Sequence, residues 1–138
     1  MSFLGKLFGG KPAAPKPSTG GRLIYAVGDV HGRLDLLRPL LSDIVEDAIR
    51  TAPAERPLLV MLGDYVDRGA DSRGVVDLLL EMQGFTRVET RLLKGNHEEA
   101  LLQFLEDPAF GATWMEHGAA ATLLSYGVQP PAARTDPV

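Results

Sequence analysis

Three short β-prone runs, each separated from the next by a helical stretch, constrain this chain more than any other feature. Residues 22–27 (RLIYAV), 57–62 (PLLVML) and 88–93 (VETRLL) have strand composition and strand length. Between the first two, Leu34, Leu37, Leu41, Ile44 and Ala48 step by three and four, the stripe of an amphipathic helix. Pro39 is a misfit in that stripe. It removes one amide donor and is expected to bend the first turns, at a lower cost near a helix start. Asp71 or Ser72 can cap a second helix carrying Val75, Val76, Leu78, Leu79 and Met82. A third helix is expected over 98–106, stopping before Pro108, and a last one over 118–126, ending at Gly127. This alternation predicts an α/β fold, a β-α-β-α-β unit with a parallel sheet and right-handed crossovers. Ligands of such sheets collect beyond the carboxyl ends of the strands.

Those three ends carry the unusual residues: GDVHGR at 28–33, GDYVDRG at 63–69 and KGNHE at 94–98. Asp29 and His31 are two apart, so in an extended segment they project to one side as a partial cation site. The Asp64 carboxylate has two oxygens and can bridge two cations, and Asn96 offers an uncharged amide oxygen. Hard oxygen donors mixed with imidazole suit manganese, iron or zinc. Two such ions would bind a phosphate ester and acidify a bridging water. His97 can protonate a departing alkoxide. Because a helix amino terminus disfavours a charged ring, Asp67 is the candidate compensating anion. Arg68 presents a rigid fork of donors matched to phosphate oxygens.

Singly, each residue has an ordinary explanation: Asp29 or Asp67 as a turn aspartate, His31 as a hydrogen-bonded loop histidine, Arg68 as a solvated arginine. Asn96 after Gly95 is an ordinary turn pair. The set argues for a site, because three strand ends each deliver glycine followed by a ligand-type residue. His117 reads as a helix-start or surface histidine, Trp114 with Met115 as packing under a loop, and Lys94, Arg33 and Arg91 as exposed. Glu98 and Glu99 suit the positive end of their helix and need no catalytic role.

Composition adds exclusions. The chain has 138 residues, 45% of them hydrophobic, and a net charge of −4, which fits one ordinary domain. Without a basic stripe, nucleic acid is not an expected partner. The lack of cysteine excludes disulfides and thiolate-held metals and fits a reducing, cytoplasmic setting. No apolar run approaches the roughly 18 residues of a transmembrane segment. Residues 1–21 are expected to be a flexible tail, with a short helical foot on a membrane or partner as the alternative. The folded domain is expected over 22–128, and 129–138 reads as an irregular tail.

On GDVHGR, GDYVDRG and KGNHE, in that order and spacing, the chain resembles the calcineurin-like metallophosphoesterases, more closely their serine/threonine phosphoprotein phosphatase branch. The resemblance covers 22–127. It implies that Asp29, His31 and Asp64 hold one metal and that Asp64 and Asn96 begin a second. It also implies that His97 is the general acid supported by Asp67, and that Arg68, with Asn96 and His97, binds the substrate phosphate. The implied cofactor is two divalent ions, manganese first, with iron or zinc as alternatives. The implied substrate is a phosphoprotein or phosphopeptide, cleaved by direct attack of activated hydroxide without a covalent phosphoenzyme. Family members continue with two further histidines, another arginine and a second sheet. The chain is therefore expected to be the amino-terminal half, weakly active or inactive as it stands. Two other readings remain open: a hydrolase of dinucleoside polyphosphates or other small phosphate esters, and a non-catalytic phosphatase-like binding module.

Overall fold

The computed structural model describes residues 18–131, and most of both expected tails lies outside them. The elements are β1 (Ile24–Val27), α1 (Leu34–Thr51), β2 (Leu58–Met61), α2 (Ser72–Gly84), β3 (Glu89–Leu92) and α3 (Asn96–Glu106). A 3-10 turn (Pro108–Phe110), α4 (Gly111–Met115) and α5 (Ala119–Ser125) follow. The three strands form one parallel sheet in the order β1-β2-β3. Val27 lies opposite Met61, and Met61 opposite Leu92, so all three carboxyl ends stop at the same level. That level register brings the three glycine-rich segments to one edge.

The helices cover the sheet by the periodicity read above. Leu37, Leu41, Ile44 and Ala48 of α1 are buried, and the helix runs through Pro39 without breaking. Val75, Leu78 and Leu79 of α2 are buried as well, with Val76 and Met82 packed at the margin of the same core. Leu59 and Met61 of β2 have no exposed surface, whereas Leu58 and Val60, pointing the other way, are half-buried. Asp71 is the cap of α2, its carboxylate accepting from the Gly74 amide at 2.8 Å. Ser72, the other capping candidate, is buried and serves the site instead.

Two elements differ from expectation. α3 begins at Asn96, two residues early, because its opening amides find acceptors: Glu98 takes the Gly95 amide and Asp64 takes that of His97. Gly95 has no side chain to cap with, so Asp64 does this from the neighbouring strand end. α4 is the other, since Trp114 with Met115 is expected to pack under a loop. Its five residues are too few for a periodic stripe, yet Trp114 within it is fully buried. Among the described residues, no helix is long and apolar enough to cross a membrane.

Candidate active site

The three segments meet through backbone first. The Asp64 carbonyl accepts from the amides of Val30 and His31 at 3.0 and 2.9 Å, and the Tyr65 carbonyl accepts from Gly32 at 2.8 Å. Contact is close enough that only glycine fits at the crossings. A Cβ on Gly95 would overlap Asp64, and one on Gly69 would overlap the His31 carbonyl.

Glu98 fastens the second and third segments. One of its oxygens accepts from the amides of Asp64 (2.7 Å) and Gly95 (2.9 Å), and the other from Tyr65 (2.7 Å) and Val66 (3.2 Å). From sequence alone Glu98 suits only the helix dipole. Its position three residues after a glycine cap was the missed signal. The Tyr65 hydroxyl adds a clasp, donating within reach of both the Leu93 carbonyl (2.6 Å) and the Met61 carbonyl (3.1 Å). Burial, and then the nearby charge of Glu98, push the Tyr65 phenol up to about 12. A raised pKa of this kind stabilises the fold fully below the phenol's ordinary value near 10, and the contribution disappears as pH climbs through 12. Tyr65→Phe is accordingly expected to cost about 1–2 kcal/mol in denaturant melts at neutral pH. The gap to the native chain should close between pH 10 and 12.

His31, Asp64 and His97 converge, with one potential ligand atom from each lying within 4.8 Å of the others. His31 reaches this point by a turn, at a φ of 45°, and not by the extended segment expected from the spacing. The turn, not strand alternation, brings its Nε2 to 3.8 Å from the Asp29 carboxylate. Asp29 itself stands on the rim, with 70% of its side chain exposed. The His31 Nδ1 lies 2.9 Å from the Val66 carbonyl, which can only accept, so Nδ1 carries the hydrogen and Nε2 the lone pair.

The Asn96 amide end lies 3.2 and 3.3 Å from the two Asp64 oxygens. With its nitrogen turned inward it donates to both. With its oxygen inward, acceptor faces acceptor, an arrangement that a shared cation would make favourable. A neutral imidazole, a carboxylate and an amide oxygen form a donor set that fits a divalent ion such as manganese, iron or zinc.

Beside this group is a fully buried network. Asp67 and His97 are 0% and 3% exposed, and their Oδ2 and Nδ1 are 2.7 Å apart. The same Oδ2 accepts from Trp114 Nε1 at 2.8 Å, and Oδ1 accepts from the Thr122 hydroxyl at 2.6 Å. The Asp67 amide donates to Thr122 (2.8 Å) and to Ser72 (3.1 Å). Asp67 is thus no turn aspartate, and Trp114 is more than packing. Local sequence could not reveal this, because the partners lie 47 and 55 residues away. Arg68 reaches out over the site, with Nη1 3.0 Å from His31 Nε2 and Nη2 3.1 Å from His97 Nε2. His117 is exposed in the turn after α4, its ring centred 6.4 Å from that of His97.

Four residues of this site, His31, Asp64, Asp67 and Arg68, have left-handed backbone with φ between 45° and 72°. Non-glycine residues adopt that conformation at a cost of about 1–2 kcal/mol each, less for aspartate. Such strain persists only where surrounding bonds over-determine it, and it clusters at functional sites.

Comparison with known proteins agrees with the geometry. Residues 22–129 match the calcineurin-like phosphoesterase family. Over 97 residues the chain is 35% identical to serine/threonine-protein phosphatase 2 of Escherichia coli (strain K12), covering 70% of this chain and 38% of that protein. Over 81 residues it is 37% identical to serine/threonine-protein phosphatase 1 of Salmonella typhimurium (strain LT2), covering 59% of this chain and 32% of the relative. A zinc-dependent endopolyphosphatase of Saccharomyces cerevisiae is 27% identical over 103 residues, covering 75% of this chain and 28% of that protein. The chain spans about a third of the length of these relatives. With the match running through all three strand ends and their converging donors, this chain belongs to the calcineurin-like phosphoesterase family.

Proposed function

We propose that this chain carries donor groups of a metal-dependent phosphomonoester hydrolase acting on phosphoserine or phosphothreonine in proteins. The convergence of His31, Asp64 and His97 within 4.8 Å, directly beneath the Arg68 guanidinium, is the observation that supports it most. The phosphatase names of the bacterial relatives favour a phosphoprotein substrate.

In this reading His31, Asp64 and Asn96, with Asp29 at the rim, hold divalent cations, manganese first and iron or zinc as alternatives. Bound cations would supply positive charge for the phosphate and an acidified water as nucleophile. Arg68 is exposed and forked, so an incoming phosphate dianion can draw it away from the two histidines and be gripped by it. That movement uncovers His97 Nε2. Nε2 accepts from Arg68 in the free chain, so once the guanidinium has moved Nε2 must first take up a proton from solvent. With Asp67 holding the opposite ring nitrogen, the protonated Nε2 faces the leaving oxygen and hands that proton over. The ester P–O bond breaks as the water oxygen bonds to phosphorus, and the proton that water gives up restores the ring.

Titration with manganese, followed by hydrolysis of phosphopeptides, dinucleoside tetraphosphate and polyphosphate, tests this reading. The expected result is two ions per chain and weak, manganese-dependent turnover with the phosphopeptide preferred. Preference for either polyphosphate-type substrate would replace the substrate assignment. Fewer than two ions with no turnover of an aryl phosphate would favour a binding module. His97→Asn is expected to leave cations bound and to slow alkyl phosphates by about 10²–10⁴-fold, more than aryl phosphates. Equal slowing of both would remove the acid role.

A further inference from the structure

We propose that Trp114 and Thr122 are positioning residues for His97, acting through Asp67. The inference rests on the reading of His97 as the proton donor, and it adds two residues from α4 and α5 to the machinery of the three strand ends.

The donor accounting fixes the arrangement. Indole Nε1 can only donate, so its 2.8 Å contact places a hydrogen on Asp67 Oδ2. The His97 Nδ1 hydrogen reaches that same oxygen at 2.7 Å. Thr122 has one hydroxyl hydrogen. Its 2.6 Å contact with the Oδ1 acceptor uses it, so in the 3.0 Å contact between Ser72 and Thr122 the serine must be the donor. Thr122 then accepts from Ser72 and from the Asp67 amide while donating to the Asp67 carboxylate. Every hydrogen in the cluster has one direction. Trp114, Asp67, Ser72 and Thr122 are each at most 2% exposed, so water cannot replace a lost donor without a cavity or a rearrangement.

The carboxylate is thereby held at both oxygens, in plane and in rotation, and only one direction remains for the imidazole to approach it. Removing the indole N–H leaves Oδ2 with His97 as its sole side-chain donor. The carboxylate can then turn about its Cβ–Cγ bond and take the ring with it. Arg68, whose amide donates to the Gly118 carbonyl at 3.1 Å, ties the same turn to the start of α5. Positioning of His97 therefore depends on how α4 and α5 dock, not only on the strand that carries Asp67.

Nitrogen-15 and proton NMR of the histidine rings in the whole chain tests this without requiring turnover. In the native chain, the His97 Nδ1 proton should be hydrogen-bonded and slow to exchange with water. Trp114→Phe, which removes the indole N–H with part of the ring, and Thr122→Val, which keeps shape but removes a hydroxyl that donates once and accepts twice, should shift that signal. They should also speed its exchange about tenfold or more, the factor expected of one lost bond to a charged acceptor. Thr122→Ser, which keeps the hydroxyl, should restore native behaviour. Where hydrolysis of an aryl phosphate is measurable, the two donor-removing variants should lower kcat and leave KM unchanged. Unchanged His97 signals in every folded variant, or loss of folding in all three, would overturn the proposal and leave Trp114 and Thr122 as packing. The ring signals report Asp67 and His97 whatever reaction they serve. Failure of the acid assignment, read from His97→Asn with alkyl and aryl esters, therefore stays separable from failure here.

Discussion

Glu98→Ala is expected to cost this chain about 3 kcal/mol or more, since four backbone amides lose one charged acceptor. For a domain of this size, that lowers the melting temperature by roughly 10–13 °C. Glu98 is only half-buried, so water recovers part of the loss. The geometry does not recover, because these amides hold Asp64 in its left-handed turn against Gly95. Cation binding should therefore fall together with stability. Glu98→Gln is the informative companion: it keeps the shape but turns an NH2 group toward backbone donors, and should lose at least half as much. A thermal melt of each variant decides. A melting temperature for Glu98→Ala within a degree or two of native would show that the clamp is ornamental.

Asp64→Asn tests the opposite property, loss of function with little loss of fold. The asparagine oxygen can still accept from the His97 amide, a contact of 3.1 Å in the native chain, and asparagine tolerates a φ of 55°. Stability should change by less than about 1 kcal/mol. The negative charge is gone, however, at the one side chain that faces both Asn96 and the imidazole donors. Affinity for manganese should drop about 100-fold or more, the upper range for perturbing even an indirect metal contact. Calorimetric titration reads this directly. Manganese bound equally well by the variant would mean that the converging donors are not where cations go.

What could be read from the chain before its fold was known follows physical range. The stripe of α1 and the three strands were legible because each is a local pattern with its own period. The donors at the strand ends were legible because a parallel sheet delivers its carboxyl ends to one edge. The capping role of Asp71 was local too. Glu98 was readable in principle but was assigned to the helix dipole, since its four donors come from two segments. Trp114 and Thr122 were beyond reach, because nothing within a few residues of either marks them as partners of Asp67. The turn at His31 was missed for another reason. A histidine in left-handed backbone is disfavoured on its own, and the carbonyls of Asp64 and Val66 with the closely packed Gly69 keep it there.

The left-handed residues also set how this chain can change over time. At 31, 64, 67 and 68 glycine would relax the backbone, and the relief at the non-aspartate positions is of the same order as the whole margin many mutations consume. Random substitution screened for heat resistance would drift toward glycine at 68, where the side chain is exposed, yielding a hardier and chemically silent molecule. The buried donors around Asp67 oppose that drift at 67. Histidine, aspartate and arginine at such places mark a sequence held uphill.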